Sequence, residues 1–178
     1  NLFYHASGQV YNPWYSQNGN QFDLGAGNDS LTVLNNSNNT VSAGDGNDVI
    51  SVAGSAVDGY ANDQVFTRVV SNYDLGNGND LITIGDSYRE GQVDFWAGSR
   101  GSNYVSGGAG NDTINIFRDG DQTVMAGEGN DVVRIIQDEN QYSSDHWDGT
   151  TRDGNHYVDL GDGNDNLLIT GRSNTLLT

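Results

Sequence analysis

The chain has no cysteine and no lysine, one proline and one methionine, and only seven basic residues, all arginine, against 24 carboxylates in 178 residues. Each shortage excludes something. Without Cys there is neither a disulfide framework nor a thiolate metal site, so any crosslink must come from elsewhere, hard cations being the obvious candidate. The scarcity of positive charge leaves a formal net charge of -17 and a pI near 4.1, which makes nucleic acid and anionic membranes poor partners. No apolar run approaches the ~18 residues that a bilayer-spanning segment needs, and no signal peptide is visible at Asn1. The absence of an initiating Met suggests a processed or excised piece of a larger product. Low hydropathy, 25 glycines and high net charge lean toward disorder, but a 10% aromatic fraction and recurring Val/Ile/Leu pairs argue for a fold. The composition is that of a chain that folds conditionally, and its length predicts one domain over residues 1–178.

What is present is a repeat. One pattern occurs six times: DLGAGNDSLTV from Asp23, SAGDGNDVISV from Ser42, DLGNGNDLITI from Asp74, SGGAGNDTINI from Ser106, MAGEGNDVVRI from Met125 and DLGDGNDNLLI from Asp159. The motif aspartates Asp29, Asp48, Asp80, Asp112, Asp131 and Asp165 are spaced at intervals of 19, 32, 32, 19 and 34 along the chain. The basic unit is therefore nineteen residues, and three copies carry thirteen, thirteen and fifteen more. On either side of each GxGND the apolar residues alternate with polar ones, the period of a half-buried strand. The pairs are Phe22/Leu24, Val41/Ala43, Tyr73/Leu75, Val105/Gly107, Val124/Ala126 and Val158/Leu160 before the glycines. After the Asp they are Leu31/Val33, Ile50/Val52, Ile82/Ile84, Ile114/Ile116, Val133/Ile135 and Leu167/Ile169.

Two short strands and a Gly-rich turn in each basic unit make one coil of a flattened solenoid. A single coil cannot bury its own inward side chains, so coils stack at about 4.8 Å and build a common core. The expectation is an all-β, right-handed parallel β-solenoid (β-roll or β-helix) of about six coils, with residues 1–22 as an N-terminal coil or cap and almost no helix. The glycine pairs Gly25 and Gly27, Gly44 and Gly46, Gly76 and Gly78, Gly108 and Gly110, Gly127 and Gly129, and Gly161 and Gly163 permit positive φ and turn carbonyls into the bend. Stacking would put the six aspartates in a column of like charges that repel without a cation. Carboxylates and carbonyls from adjacent turns supply a cage of oxygens suited to Ca²⁺ over Mg²⁺ or Zn²⁺, with about five ions for the steps between six turns.

These residues resemble a family: GxGNDxUxU, with U apolar, is similar to the calcium-binding nonapeptide of RTX (hemolysin-type) repeat proteins. The resemblance covers about residues 20 to 178 and implies that the glycines and aspartates of each motif bind Ca²⁺, in a secreted or cell-surface bacterial protein. The sequence departs from the family pattern in its first glycine, kept only as Gly107 and elsewhere Leu24, Ala43, Leu75, Ala126 and Leu160. Only one turn per coil carries the motif, which predicts one calcium column. The unit length is also similar to that of the solenoids of calcium-dependent bacterial ice-binding adhesins, whose ice-facing array uses a Thr between the glycines. Here that slot holds Ala26, Asp45, Asn77, Ala109, Glu128 and Asp162, so ice binding is not expected. The adjoining column Asn28, Asn47, Asn79, Asn111, Asn130 and Asn164 reads as a ladder satisfying turn amides.

The three expansions, residues 53–72, 85–104 and 136–157, fall at the turn opposite GxGND and should leave the solenoid from one edge. They carry Tyr60, Phe66, Tyr88, Phe95, Trp96, Tyr142, His146 and Trp147, and Trp96-Ala-Gly-Ser-Arg100 parallels Trp147-Asp-Gly-Thr-Thr-Arg152. Such rings either bind a glycan or protein partner, with Tyr60, Tyr88, Trp96, Tyr142 and Trp147 as candidates, or pack as a satellite core under the loops. Enzymatic chemistry finds little support. His5, His146 and His156 are the only imidazoles, and no nucleophile with a base at recognisable spacing accompanies them. The reading is an extracellular structural or adhesive module stabilised by Ca²⁺. Alternatives are a glycan- or partner-binding module acting through the inserted loops, and a self-assembling filament subunit, since the sequence reads as ending mid-coil after Leu177 and Asn1-Leu-Phe-Tyr echoes the coil strand Asn166-Leu-Leu-Ile.

Overall fold

The computed structural model describes residues 3–4, 20–33, 38–52, 69–85, 101–117, 121–136, 154–171 and 173–178. All described elements are strands, and they form two parallel sheets. Sheet A holds the strands that precede the glycines: β1 (Phe3–Tyr4), β2 (Gln21–Asp23), β4 (Thr40–Ser42), β6 (Val69–Asp74), β8 (Gly101–Ala109), β10 (Gln122–Glu128), β12 (Gly154–Asp159) and β14 (Ser173–Leu177). Sheet B holds those that follow the Asp: β3 (Ser30–Val33), β5 (Val49–Val52), β7 (Leu81–Ile84), β9 (Thr113–Ile116), β11 (Val132–Ile136) and β13 (Asn166–Thr170). Chain order alternates between the sheets while neighbours within each sheet are one coil apart, the topology of a parallel β-roll. Six full coils run from β2 to β13, and β1 and β14 add one strand of sheet A at each end.

The register is the repeat read sideways. Asp23 lies beside Ser42, then Asp74, Ser106, Met125 and Asp159. In sheet B, Leu31, Ile50, Ile82, Ile114, Val133 and Leu167 align. Because a strand alternates its side chains between faces, one residue of slip would turn every apolar pair outward, and stacking holds all coils in a single register. The inward pairs named from the sequence form one continuous core, from Phe22 (5% exposed) through Tyr73, Ile82, Ile114 and Ile135 (all 0%) to Val158 (0%). Leu160, Leu167 and Ile169, in the last coil, pack against it half-buried.

This packing explains the departure from the family's first glycine. Leu24, Ala43, Leu75 and Ala126 occupy a position that points into the core, each at 6% exposure or less, so an apolar side chain fits there.

Four boundaries differ from expectation. Sheet A strands begin at Val69, Gly101 and Gly154, so the last residues of each expected insertion already pair with the neighbouring coil. Gln21 and Phe22, assigned to an N-terminal cap, are the start of the first coil. Phe3–Tyr4 pairs with Gln21 and Phe22 in sheet A, whereas Asn166–Ile169 lies in sheet B. The echo between these segments is therefore not a structural equivalence.

Candidate metal column

The six turns stack in register: the variable residues Ala26, Asp45, Asn77 and Ala109 are bridge partners in turn, as are Glu128 and Asp162, each bonded through the glycines beside its partner. All twelve motif glycines have φ between 78° and 146°. Gly78 shows why nothing larger serves: its φ is 141°, and a Cβ there would fall on the carbonyl oxygen of Gly46 in the coil before. The turns thus approach until backbone fills the space a side chain would need.

The aspartates line up as expected. The Asp29 N–H donates to Asp48 Oδ1 at 2.8 Å, Asp48 to Asp80 at 2.7 Å and Asp80 to Asp112 at 2.9 Å. Asp112 donates to Asp131 at 2.8 Å and Asp131 to Asp165 at 2.9 Å. The asparagines run the other way. The Asn47 N–H donates to Asn28 Oδ1 and Asn79 to Asn47, each at 2.8 Å, and the ladder continues to Asn164. Each turn is therefore stitched toward the following coil through Asp and toward the preceding one through Asn. The asparagine ladder does what the sequence implies, satisfying turn amides.

One carboxylate oxygen of each Asp from Asp48 onward is thus engaged by the coil before. The Oδ2 atoms of Asp29, Asp48, Asp80, Asp112 and Asp131 are buried with no hydrogen-bond partner. Asp48, Asp80, Asp112 and Asp131 are themselves at most 2% exposed. Burial, opposed by the accepted backbone bond and reinforced by the neighbouring carboxylates, raises their pKa values above the ordinary 3.8, that of Asp112 to about 6. Leaving several buried charges unpaired is far costlier than a surface ion pair is worth. A cation resolves this arrangement.

The donor set fits a hard one. All the free atoms of the column are oxygens. Among the described residues no three His, Cys, Asp or Glu side chains converge on one point, so the remaining ligands must be backbone carbonyls and water. The first-glycine carbonyls of Gly25, Gly44, Gly76 and Gly127 already accept the N–H of the next coil's variable residue. Those of Gly27, Gly46, Gly78, Gly110 and Gly129 face the Cα of the next coil's second glycine. An oxygen-only shell of carboxylates and carbonyls is the chemistry of Ca²⁺.

Gly163 lies in the last described turn. With Gly161 it forms the last turn, it is exposed, and no described turn stacks beyond it to share a cation with its carbonyl. What the structure requires of Gly163 is the absence of a side chain: at φ 146°, a Cβ would fall on the Gly129 carbonyl.

The family model of the RTX calcium-binding nonapeptide repeat, in four copies, matches residues 34–54, 94–115 and 118–134. The chain carries RTX calcium-binding repeats. The matched stretches cover about a third of the chain and contain Asp48, Asp112 and Asp131. The column extends the RTX assignment, since Asp29, Asp80 and Asp165 take the same places in the same hydrogen-bond series. No curated protein and no solved structure matches the chain.

Sequence reasoning missed a second column at the edge of the RTX roll opposite the glycines. Asn39, Ser71, Asn103, Gln122 and His156 are each at most 3% exposed, and adjacent coils align them, Gln122 lying beside Asn103 and His156. Asn20 Nδ2 donates to Asn39 Oδ1 at 3.0 Å, the Asn39 N–H to Ser71 Oγ at 3.1 Å and Asn103 Nδ2 to Gln122 Oε1 at 2.8 Å. The signal was present: stepping two residues back from the inward Val41, Tyr73, Val105, Val124 and Val158 reaches each of these side chains. The proposed ligand-binding aromatics Tyr60, Tyr88, Trp96, Tyr142 and Trp147 lie outside the described residues.

Proposed function

We propose that the chain is a structural, adhesive module of a bacterial extracellular or cell-surface protein, non-catalytic, and folded only when Ca²⁺ bridges its stacked turns. The calcium-binding repeat is the established part. The observation that supports calcium-dependent folding is the row of five buried, partnerless Asp Oδ2 atoms, one at each step between the six turns. One divalent cation per step gives about five ions and lowers the formal charge from -17 to about -7. With free Ca²⁺ at ten times Kd, each site contributes about 1.4 kcal/mol, or about 7 kcal/mol for five, comparable to a whole domain's stability. An extracellular setting, rich in calcium and oxidising, suits a chain that has no disulfide and relies on a metal instead.

Circular dichroism during a calcium titration tests the proposal, with calorimetry for the ion count. The expected result is an unfolded spectrum in excess EGTA, a cooperative gain of β signal with Ca²⁺, and about five ions bound. A chain that keeps its full β signal and melting temperature in EGTA overturns it.

A further inference from the structure

The variable slot between the two glycines of the third turn holds Asn77, followed by Gly78. An asparagine before glycine is the dipeptide most prone to deamidation, because no Cβ hinders the glycine nitrogen and its backbone reaches the required conformation easily. In that reaction the backbone nitrogen of Gly78 attacks Cγ of Asn77. The new N–Cγ bond closes a succinimide, and the Cγ–Nδ2 bond breaks, releasing ammonia that carries off the displaced proton. Water then opens the ring at either carbonyl, leaving aspartate or isoaspartate.

The folded turn blocks the first step at both reacting groups. The Gly78 N–H donates to the Ala109 carbonyl at 2.7 Å, and the Asn77 N–H to Gly44 at 2.9 Å, so the backbone is clamped to the coils on both sides. Asn77 Nδ2 donates to Asp45 Oδ1 at 2.7 Å, which holds the side-chain amide out over the preceding coil. Asn77 is exposed to water, so geometry and not burial is what protects it.

The two products differ in consequence. Aspartate is already tolerated in this slot, as Asp45 and Asp162 show. Isoaspartate routes the main chain through the side chain and adds a methylene between Gly76 and Gly78. At both of these glycines a Cβ would collide with carbonyls of the coil before, those of Gly44 and Gly46. The glycines on either side of the slot pack against the coil before, so lengthening the main chain between them disturbs that packing.

We infer that Asn77–Gly78 is a modification site that the folded turn protects, and that its conversion to isoaspartate in the opened chain irreversibly ends refolding. Its coupling to calcium rests on the reading that cation removal opens the coils. The site makes the third turn a chemical record of time spent unfolded.

The test ages the full chain at mildly alkaline pH in excess calcium, in EGTA and in urea. Circular dichroism runs in parallel, and mass spectrometry maps the peptide containing residues 77–78. Expected is an amide-to-acid mass gain with isoaspartyl linkage at 77 in urea, and in EGTA wherever the β signal is lost. In calcium it should be slower by roughly a hundredfold or more, since only the transiently opened turn reacts. The aged chain, returned to calcium, should lose β signal in proportion to its isoaspartate content at residue 77, whatever its content at Asn18–Gly19. Aged Asn77→Ala, whose slot matches Ala26 and Ala109, should recover fully, as should unaged Asn77→Asp. Absence of conversion in urea, equal rates in calcium and urea, or refolding regardless of isoaspartate content overturns the inference. A chain that stays folded in EGTA and converts only in urea supports it while overturning the calcium-dependent folding proposed above.

Discussion

Asp112 performs two tasks with two oxygens. Its Oδ1 accepts the Asp80 N–H at 2.9 Å, and its Oδ2 is buried without a partner. Asp112→Ala therefore removes a ligand and also leaves a buried N–H unsatisfied, the latter costing about 1–3 kcal/mol. Asp112→Asn keeps an oxygen for the N–H and removes the charge, so it separates the two effects. Asp29, at the first turn of the column, supplies no such bond to a described residue, and its loss touches only one step. The calcium midpoint should rise most for Asp112→Ala, less for Asp112→Asn and least for Asp29→Ala. Equal midpoints for the three in a circular dichroism titration would argue against a shared ladder.

Among the elements, the strands were legible because their signal is doubled, by alternation within a coil and by the constant unit between coils. The core pairs from Phe22 to Ile169 follow from those two periods alone. Strand starts at Val69, Gly101 and Gly154 were not legible, because they follow long segments whose polar residues read as loop. The same bias hid the inner ladder. Asn39, Ser71, Asn103, Gln122 and His156 look like turn residues until the neighbouring coil supplies their partners, and no local pattern contains that coil. His156 ends the series with both ring nitrogens buried and no described partner. Burial lowers its pKa below the ordinary 6.5, against the nearby Asp121 carboxylate, which acts to raise it. Folding therefore favours the neutral ring: its contribution is complete above pH 6.5 and is lost as pH falls through the depressed folded value. The raised carboxylates of the opposite edge have the reverse sign in a cation-free chain, favouring the fold as pH falls, so a single pH profile mixes the two edges. His156→Gln, chosen to match Gln122 of the same column, isolates one. In excess calcium, wild type should lose more melting temperature than the variant between about pH 7.5 and about pH 5.5, by on the order of a few °C. Parallel losses in both proteins would show that His156 is not titrating in that window.

For the whole molecule, the two edges of the roll have opposite tolerances. The chain between the end of β5 and the start of β6, between β7 and β8, and between β11 and β12 is longer than in the basic unit, yet motif intervals of 19, 32 and 34 share one register. Register is fixed by the neighbouring coil and not by the connecting segment, as expected where each repeat contacts only those beside it. Removing thirteen residues from within 53–68 restores the basic unit length. The chain-entropy change is small, about 0.6 kcal/mol for each halving of the connection. At the other edge a single methyl has more effect: Gly78→Ala forces an L residue to φ 141° and places its Cβ on the Gly46 carbonyl. Backbone strain alone costs about 1–3 kcal/mol there, and the turn before must separate from it to relieve the collision, weakening the step between them. Thirteen residues lost from one edge should therefore leave the calcium midpoint and β signal nearly unchanged, while one carbon gained at the other should raise the midpoint and lower the signal. A shortened chain that folds as poorly as Gly78→Ala would mean that the long segment helps hold the coils together, and that the nearest-neighbour description of this solenoid is incomplete.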